Sequence, residues 1–75
     1  MAKLPRGLSG EDAARAFIRA GYILGRQTGS HMILHHSQDS LRMLSIPRHR
    51  SLKLGTLRTL IRLSRLTVDE FVQLM

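Results

Sequence analysis

The sequence predicts an α+β fold with elements in the order α-β-β-β-α and a short extra helix at the C-terminus. Three observations predict it. Apolar residues recur at helical spacing near both ends, at Ala13, Ala14, Phe17 and Ile18 and again at Leu57, Leu60 and Ile61. Between them, residues 22–46 divide into three short strand-like runs separated by turn signals. A chain of 75 residues has room for one domain and one small core, and a three-stranded meander with helices on one face is the economical way to build it.

Residues 1–8 carry Pro5 and Gly7 and read as a loose arm of a single domain spanning residues 1–75. Ser9 followed by Asp12 has the spacing of a capping box, which starts a helix over about Gly10 to Ala20. Gly21 ends it, because glycine tolerates the left-handed conformation. Tyr22 to Thr28 is a strand weakened by Gly25, and Gly29-Ser30 is a turn. His31 to His36 is a second strand, with His31, Ile33 and His35 on one face and Met32, Leu34 and His36 on the other. Ser37 to Ser40 reads as a polar hairpin loop, and Leu41 to Ile46 as a third strand closed by Pro47. Arg48-His49-Arg50 follows as a basic loop. Gly55-Thr56 opens the second long helix, on which Arg58, Arg62 and Arg65 share one exposed face. Thr67 and Glu70 form a second capping box ahead of Val68, Phe71, Val72 and Met75.

Composition narrows the function classes. Twelve Lys and Arg against five Asp and Glu give a net charge of +7, and ten of the twelve cations are Arg. Arginine presents a planar fork of donors that suits phosphate oxygens, so a polyanionic partner is expected. There is no cysteine, which excludes disulfides and thiolate zinc sites and fits a reducing cytoplasm. No membrane span or signal peptide is visible.

The chemistry concentrates on His31. It follows a tight turn in Arg26-Gln27-Thr28-Gly29-Ser30-His31, and histidine moves protons near neutral pH. Spacing alone leaves it open between an idle surface histidine and a catalytic one. The five acids form no carboxylate pair of the kind a metal nuclease uses. RNA carries its own nucleophile in the 2′-OH, so an enzyme acting on it needs only proton transfer and stabilisation of the charge on phosphorus. His49 is the alternative acid or base, or else a phosphate contact. A three-histidine zinc site from His31, His35 and His49 is conceivable, but its spacing is not diagnostic. Lys53 stands at a helix start, either as a phosphate clamp or as an ordinary capping position. Arg26, Ser30, Arg48, His49, Lys53, Arg58 and Arg62 are the candidate RNA contacts, and no residue is assigned to a metal.

In order along the chain, several segments carry a resemblance. They are a short helix ending in Gly21-Tyr22, then Arg26 to His31, His36, Ile46-Pro47, His49, Gly55-Thr56-Leu57-Arg58, and Leu66-Thr67 leading to Glu70-Phe71. From about Ser9 to the C-terminus the chain resembles the HicA toxins, the small mRNA interferases of bacterial and archaeal toxin–antitoxin pairs. The resemblance implies a double-stranded-RNA-binding-domain-like fold and ribosome-independent cleavage of mRNA without a metal or other cofactor. It places the catalytic histidine on His31. It also implies a HicB antitoxin that covers the site, no membrane role, and DNA contact only through the antitoxin. Three features depart from the family pattern. Ser37 stands where a proline often follows the second-strand histidine, Ser64-Arg65 replaces Ala-Gly or Ala-Asn, and the loop between His49 and Gly55 is short. A non-catalytic RNA-binding module, or a subunit whose basic face meets an acidic protein, would share the charge and the fold.

Overall fold

Ser9 ends the N-terminal arm and starts the first helix, α1 (Gly10–Arg19). Its hydroxyl accepts the Asp12 N–H at 3.0 Å, and the Asp12 carboxylate accepts the Ser9 N–H at 3.4 Å. These bonds to Ser9, with Arg15 at 2.7 Å as a lesser cause, hold the Asp12 carboxyl below its ordinary pKa. Ala20 caps the other end, and Gly21 turns the chain with φ 107°.

The computed structural model describes residues 3–75, and after α1 come β1 (Tyr22–Gln27), β2 (His31–His36), β3 (Asp39–Pro47), α2 (Leu54–Leu63) and α3 (Val68–Gln73). The strands form an antiparallel meander in the order β1-β2-β3. This is the α-β-β-β-α order of a double-stranded-RNA-binding-domain-like fold, extended by one C-terminal helix. Among the described residues, no helix is long and apolar enough to cross a membrane.

Helices cover one face of the sheet. Tyr22, Met32, Leu34, Leu44 and Ile46 are buried beneath them, while Ile23, Met43 and Ser45 on the other face are exposed. Strand alternation requires this split once one face is packed. The scarce aromatics are pooled in the core. Phe17 of α1 meets Phe71 of α3 at 5.0 Å and Tyr22 at 6.1 Å. Three rings thereby join both ends of the chain to the sheet, and such pairs add about 0.5–1.5 kcal/mol beyond the area they bury.

Several boundaries differ from the sequence reading, each for a nonlocal reason. The β2–β3 turn is only Ser37-Gln38, because Asp39 pairs with His36 and already belongs to β3. The Gln38 N–H donates to His36 Nδ1 at 3.1 Å, and the His36 ring packs edge-on against Tyr22. Ser37 donates its N–H to the Gly21 carbonyl at 2.9 Å, a bond that a proline could not make. The arm lacks helix and strand but is not loose over residues 3–8. Leu8 is buried, its carbonyl accepts the Leu52 N–H at 2.7 Å, and Leu4 packs against the core. Met1 and Ala2 lie outside the described residues.

Arg65 does not share a helical face with Arg58 and Arg62. Helix α2 ends at Leu63 with Ser64 as its cap, and Arg65 takes φ 66° beyond it. The Ser64 hydroxyl is buried and donates to the Ile61 carbonyl at 2.6 Å. The Ser64 carbonyl accepts from Arg42 at 2.7 Å, which ties β3 to the negative end of the helix.

Candidate active site

The turn before β2 is organised by one hydroxyl. Thr28 Oγ1 accepts the N–H of His31 at 2.9 Å and that of Ser30 at 3.3 Å, and donates to the His31 carbonyl at 3.3 Å. The Thr28 N–H also donates to that carbonyl, at 2.8 Å. A hydroxyl offers one donor and two acceptor sites, so Thr28 is fully used. Sequence reasoning gave Thr28 no role. The available signal was a threonine three residues before the histidine, the spacing of a side-chain-closed turn.

His31 opens β2 and is half-buried. Ser30 Oγ lies 3.0 Å from its Nδ1. The Ser30 hydroxyl thus touches the histidine, and a hydroxyl with one such contact keeps capacity for a further partner. Nδ1 is therefore engaged, and Nε2 has no hydrogen-bond partner among the described residues.

A register slip brings Arg26 to the same face. From Tyr22 to Leu24, β1 pairs in one register with His36 to Leu34; after Gly25 it slips, and Arg26 pairs with Ile33. Without the slip, Arg26 would oppose Met32 and point under the helices. The bulge re-aims it to the side of Ile33 and His31. A Cβ at position 25 would run into the outer edge of the His35 ring, so any other residue there obliges that ring to move. His35 is thus packed over the bulge, its Nδ1 buried without a partner.

The basic loop approaches from the β3 side. Pro47 pairs with His31, and the Arg48 N–H donates to the Ser30 carbonyl at 2.8 Å. The His49 carbonyl accepts the Gly10 N–H at 2.9 Å, which anchors the loop to α1. Lys53 is the exposed N-cap of α2 and makes no side-chain cap bond. Arg26, Arg48 and His31 are therefore assembled around one turn, with His49 and Lys53 farther along the same loop. Arg58 and Arg62 are exposed on α2, and Arg58 lines a different cleft with Lys3 and Arg6. Among the described residues, no group of three or more His, Asp or Glu is placed to hold a metal ion.

A family model described as the HicA toxin of bacterial toxin–antitoxin pairs matches residues 10–66, most of the chain. The chain belongs to the HicA toxin family. It is accordingly a toxin component, and the family implies an antitoxin partner. No individual curated protein matches it. The matched span begins at α1, includes the whole sheet with the Thr28–His31 turn, and ends just past α2. Ser64-Arg65 falls inside it, and Arg65 takes the left-handed conformation that Gly and Asn adopt most readily.

Proposed function

We propose that this HicA-family chain is a metal-independent endoribonuclease that cleaves mRNA, with His31 as its general acid or base. The observation that carries the reading is the Ser30–His31 contact on the Thr28-closed turn. It fixes one ring nitrogen and leaves Nε2 for proton transfer. In the reaction, the 2′-oxygen attacks the adjacent phosphorus and the P–O5′ bond breaks, leaving a 2′,3′-cyclic phosphate and a 5′-OH. The 2′-OH loses a proton and O5′ gains one, and His31 Nε2 handles this traffic with water. Arg26 and the Arg48 side of the loop offset charge growing on the phosphoryl oxygens. Lys53 and His49 extend the backbone contact. The partner is a HicB-type antitoxin acting in the cytoplasm, and any DNA contact runs through that antitoxin.

The test is cleavage of mRNA in EDTA by the wild type and by His31→Ala. The reading expects cleavage by the wild type and at least a hundredfold loss in the variant, with an unchanged melting temperature. Undiminished cleavage by the variant removes His31 from the chemistry. Salt-sensitive RNA binding without cleavage by the wild type would instead leave an RNA-binding module.

A further inference from the structure

The N-terminal arm, the first turns of α2 and the start of α3 enclose a cleft of about 520 Å³. Lys3, Arg6 and Arg58 line it together with Leu4, Leu54 and Val68, and Asp69 is its one acidic residue among those described. Three cations from two separate segments therefore line one cleft beside a single carboxylate, which has a partner of its own. Long cationic side chains on an ordinary solvated face spread apart to avoid such repulsion. Here the arm is fixed beside α2: Leu4 and Leu8 anchor it in the core, and the Leu8 carbonyl is bonded to Leu52 next to the start of α2. The volume falls in the range that holds a small organic ligand, and apolar walls with a few cations suit a nucleotide.

We propose that this cleft is a second RNA subsite. It takes a phosphate of the bound strand on Lys3, Arg6 and Arg58, with the attached nucleoside over Leu4, Leu54 and Val68. The proposal rests on the RNA-cleavage reading above and extends it beyond the catalytic turn. A path between the two sites is short. Arg48 is bonded to Ser30, and Leu54 follows Arg48 by six residues, no more than about 22 Å of chain. His31 lies on the sheet face away from the helices and the cleft on the helix side, so a strand bound at both would follow this loop around the edge of the sheet. The guanidinium forks of Arg6 and Arg58 match phosphate, and the apolar lining gives a nucleoside a surface that an acidic peptide would not need. The subsite touches no reacting atom, so it acts on the binding of long substrates and not on the chemical step.

The test uses the full chain and the double variant Lys3→Gln/Arg6→Gln, whose side chains are exposed in the arm. Binding and cleavage of a 12-nucleotide single-stranded RNA are compared with those of a tetranucleotide. The double variant is expected to raise Kd and KM for the 12-mer roughly fivefold and leave kcat and the tetranucleotide values unchanged. The log–log salt slope for 12-mer binding should become shallower by about 0.7 for each phosphate that is no longer neutralised. Wild-type affinity and slope in the double variant overturn the subsite and leave the His31 reading intact. An equal loss of binding to polyglutamate also overturns it, because the cleft would then take acidic protein. Failure of the wild type to bind or cleave either RNA removes the cleavage reading and the subsite together.

Discussion

Gly10→Ala should unseat the basic loop from the helix that supports it. Gly10 is buried at the first turn of α1, and its N–H donates to the His49 carbonyl at 2.9 Å. An added Cβ would overlap the Pro47 carbonyl oxygen, and would lie 3.0 Å from the Pro47 carbonyl carbon and 3.4 Å from Arg48 Cα. Every one of these neighbours is backbone, so no rotamer relieves the overlap, and α1 must separate from residues 47–48 by more than roughly 1 Å. Overpacking of this kind costs about 1–3 kcal/mol, and the broken hydrogen bond about 1 kcal/mol more. The better helix propensity of alanine returns about 0.5–1 kcal/mol. The net loss is about 1–3.5 kcal/mol, a large share of the roughly 4–11 kcal/mol expected for a chain of this length. Thermal unfolding followed by circular dichroism should show a fall of roughly 4–28 °C. Gly55→Ala is the control. Nothing lies within 4 Å of its added Cβ, so its melting temperature should hold or rise slightly. Cleavage by Gly10→Ala should fall even where it remains folded, because Arg48 is bonded to the turn that carries His31. A Gly10→Ala protein that melts within about 3 °C of wild type would refute the close approach itself.

Two further outcomes follow from local geometry. Ser30→Ala should lower kcat about tenfold while stability changes by less than ~0.5 kcal/mol, and Ser30→Thr should restore most of the activity; an unchanged kcat would mean that the 3.0 Å contact does not position His31. Arg65→Gly should stabilise the protein by about 1 kcal/mol, seen as a melting temperature roughly 4–8 °C higher, because arginine pays a steric cost at φ 66° that glycine does not.

Much of the frame was legible because it is set by neighbours in sequence. Both capping boxes, Ser9 with Asp12 and Thr67 with Glu70, form as their spacing requires. Strand β2 starts and stops where the alternation from His31 to His36 does. The features that were not legible depend on partners far along the chain. Gly25 reads as a weak point in a strand, but only pairing with β2 turns it into a bulge that redirects Arg26. Periodicity placed Arg65 on the α2 face, whereas the buried Ser64 cap ends that helix first. Pro5 and Gly7 made the arm look unattached, and nothing local announced that Leu52 would bond to Leu8. At the site, the residue types singled out His31 and placed Arg26 and Arg48 among its candidate companions. They did not announce that the Ser30 hydroxyl would sit 3.0 Å from the His31 ring, because that contact needs the Thr28-closed turn.

The uncovered face of the sheet bears on how the toxin behaves in a concentrated solution. Ile23, Met43 and Leu41 are exposed there, Leu41 by 90%. Apolar surface of this kind draws copies together, whereas a net charge of +7 on 75 residues pushes them apart. The two tendencies respond oppositely to salt, since charge repulsion fades as the Debye length shrinks and apolar attraction does not. The ten arginines therefore act as its colloidal stabiliser. A polyanion that neutralises them would remove that protection and leave the bare sheet as the surface on which bound copies meet.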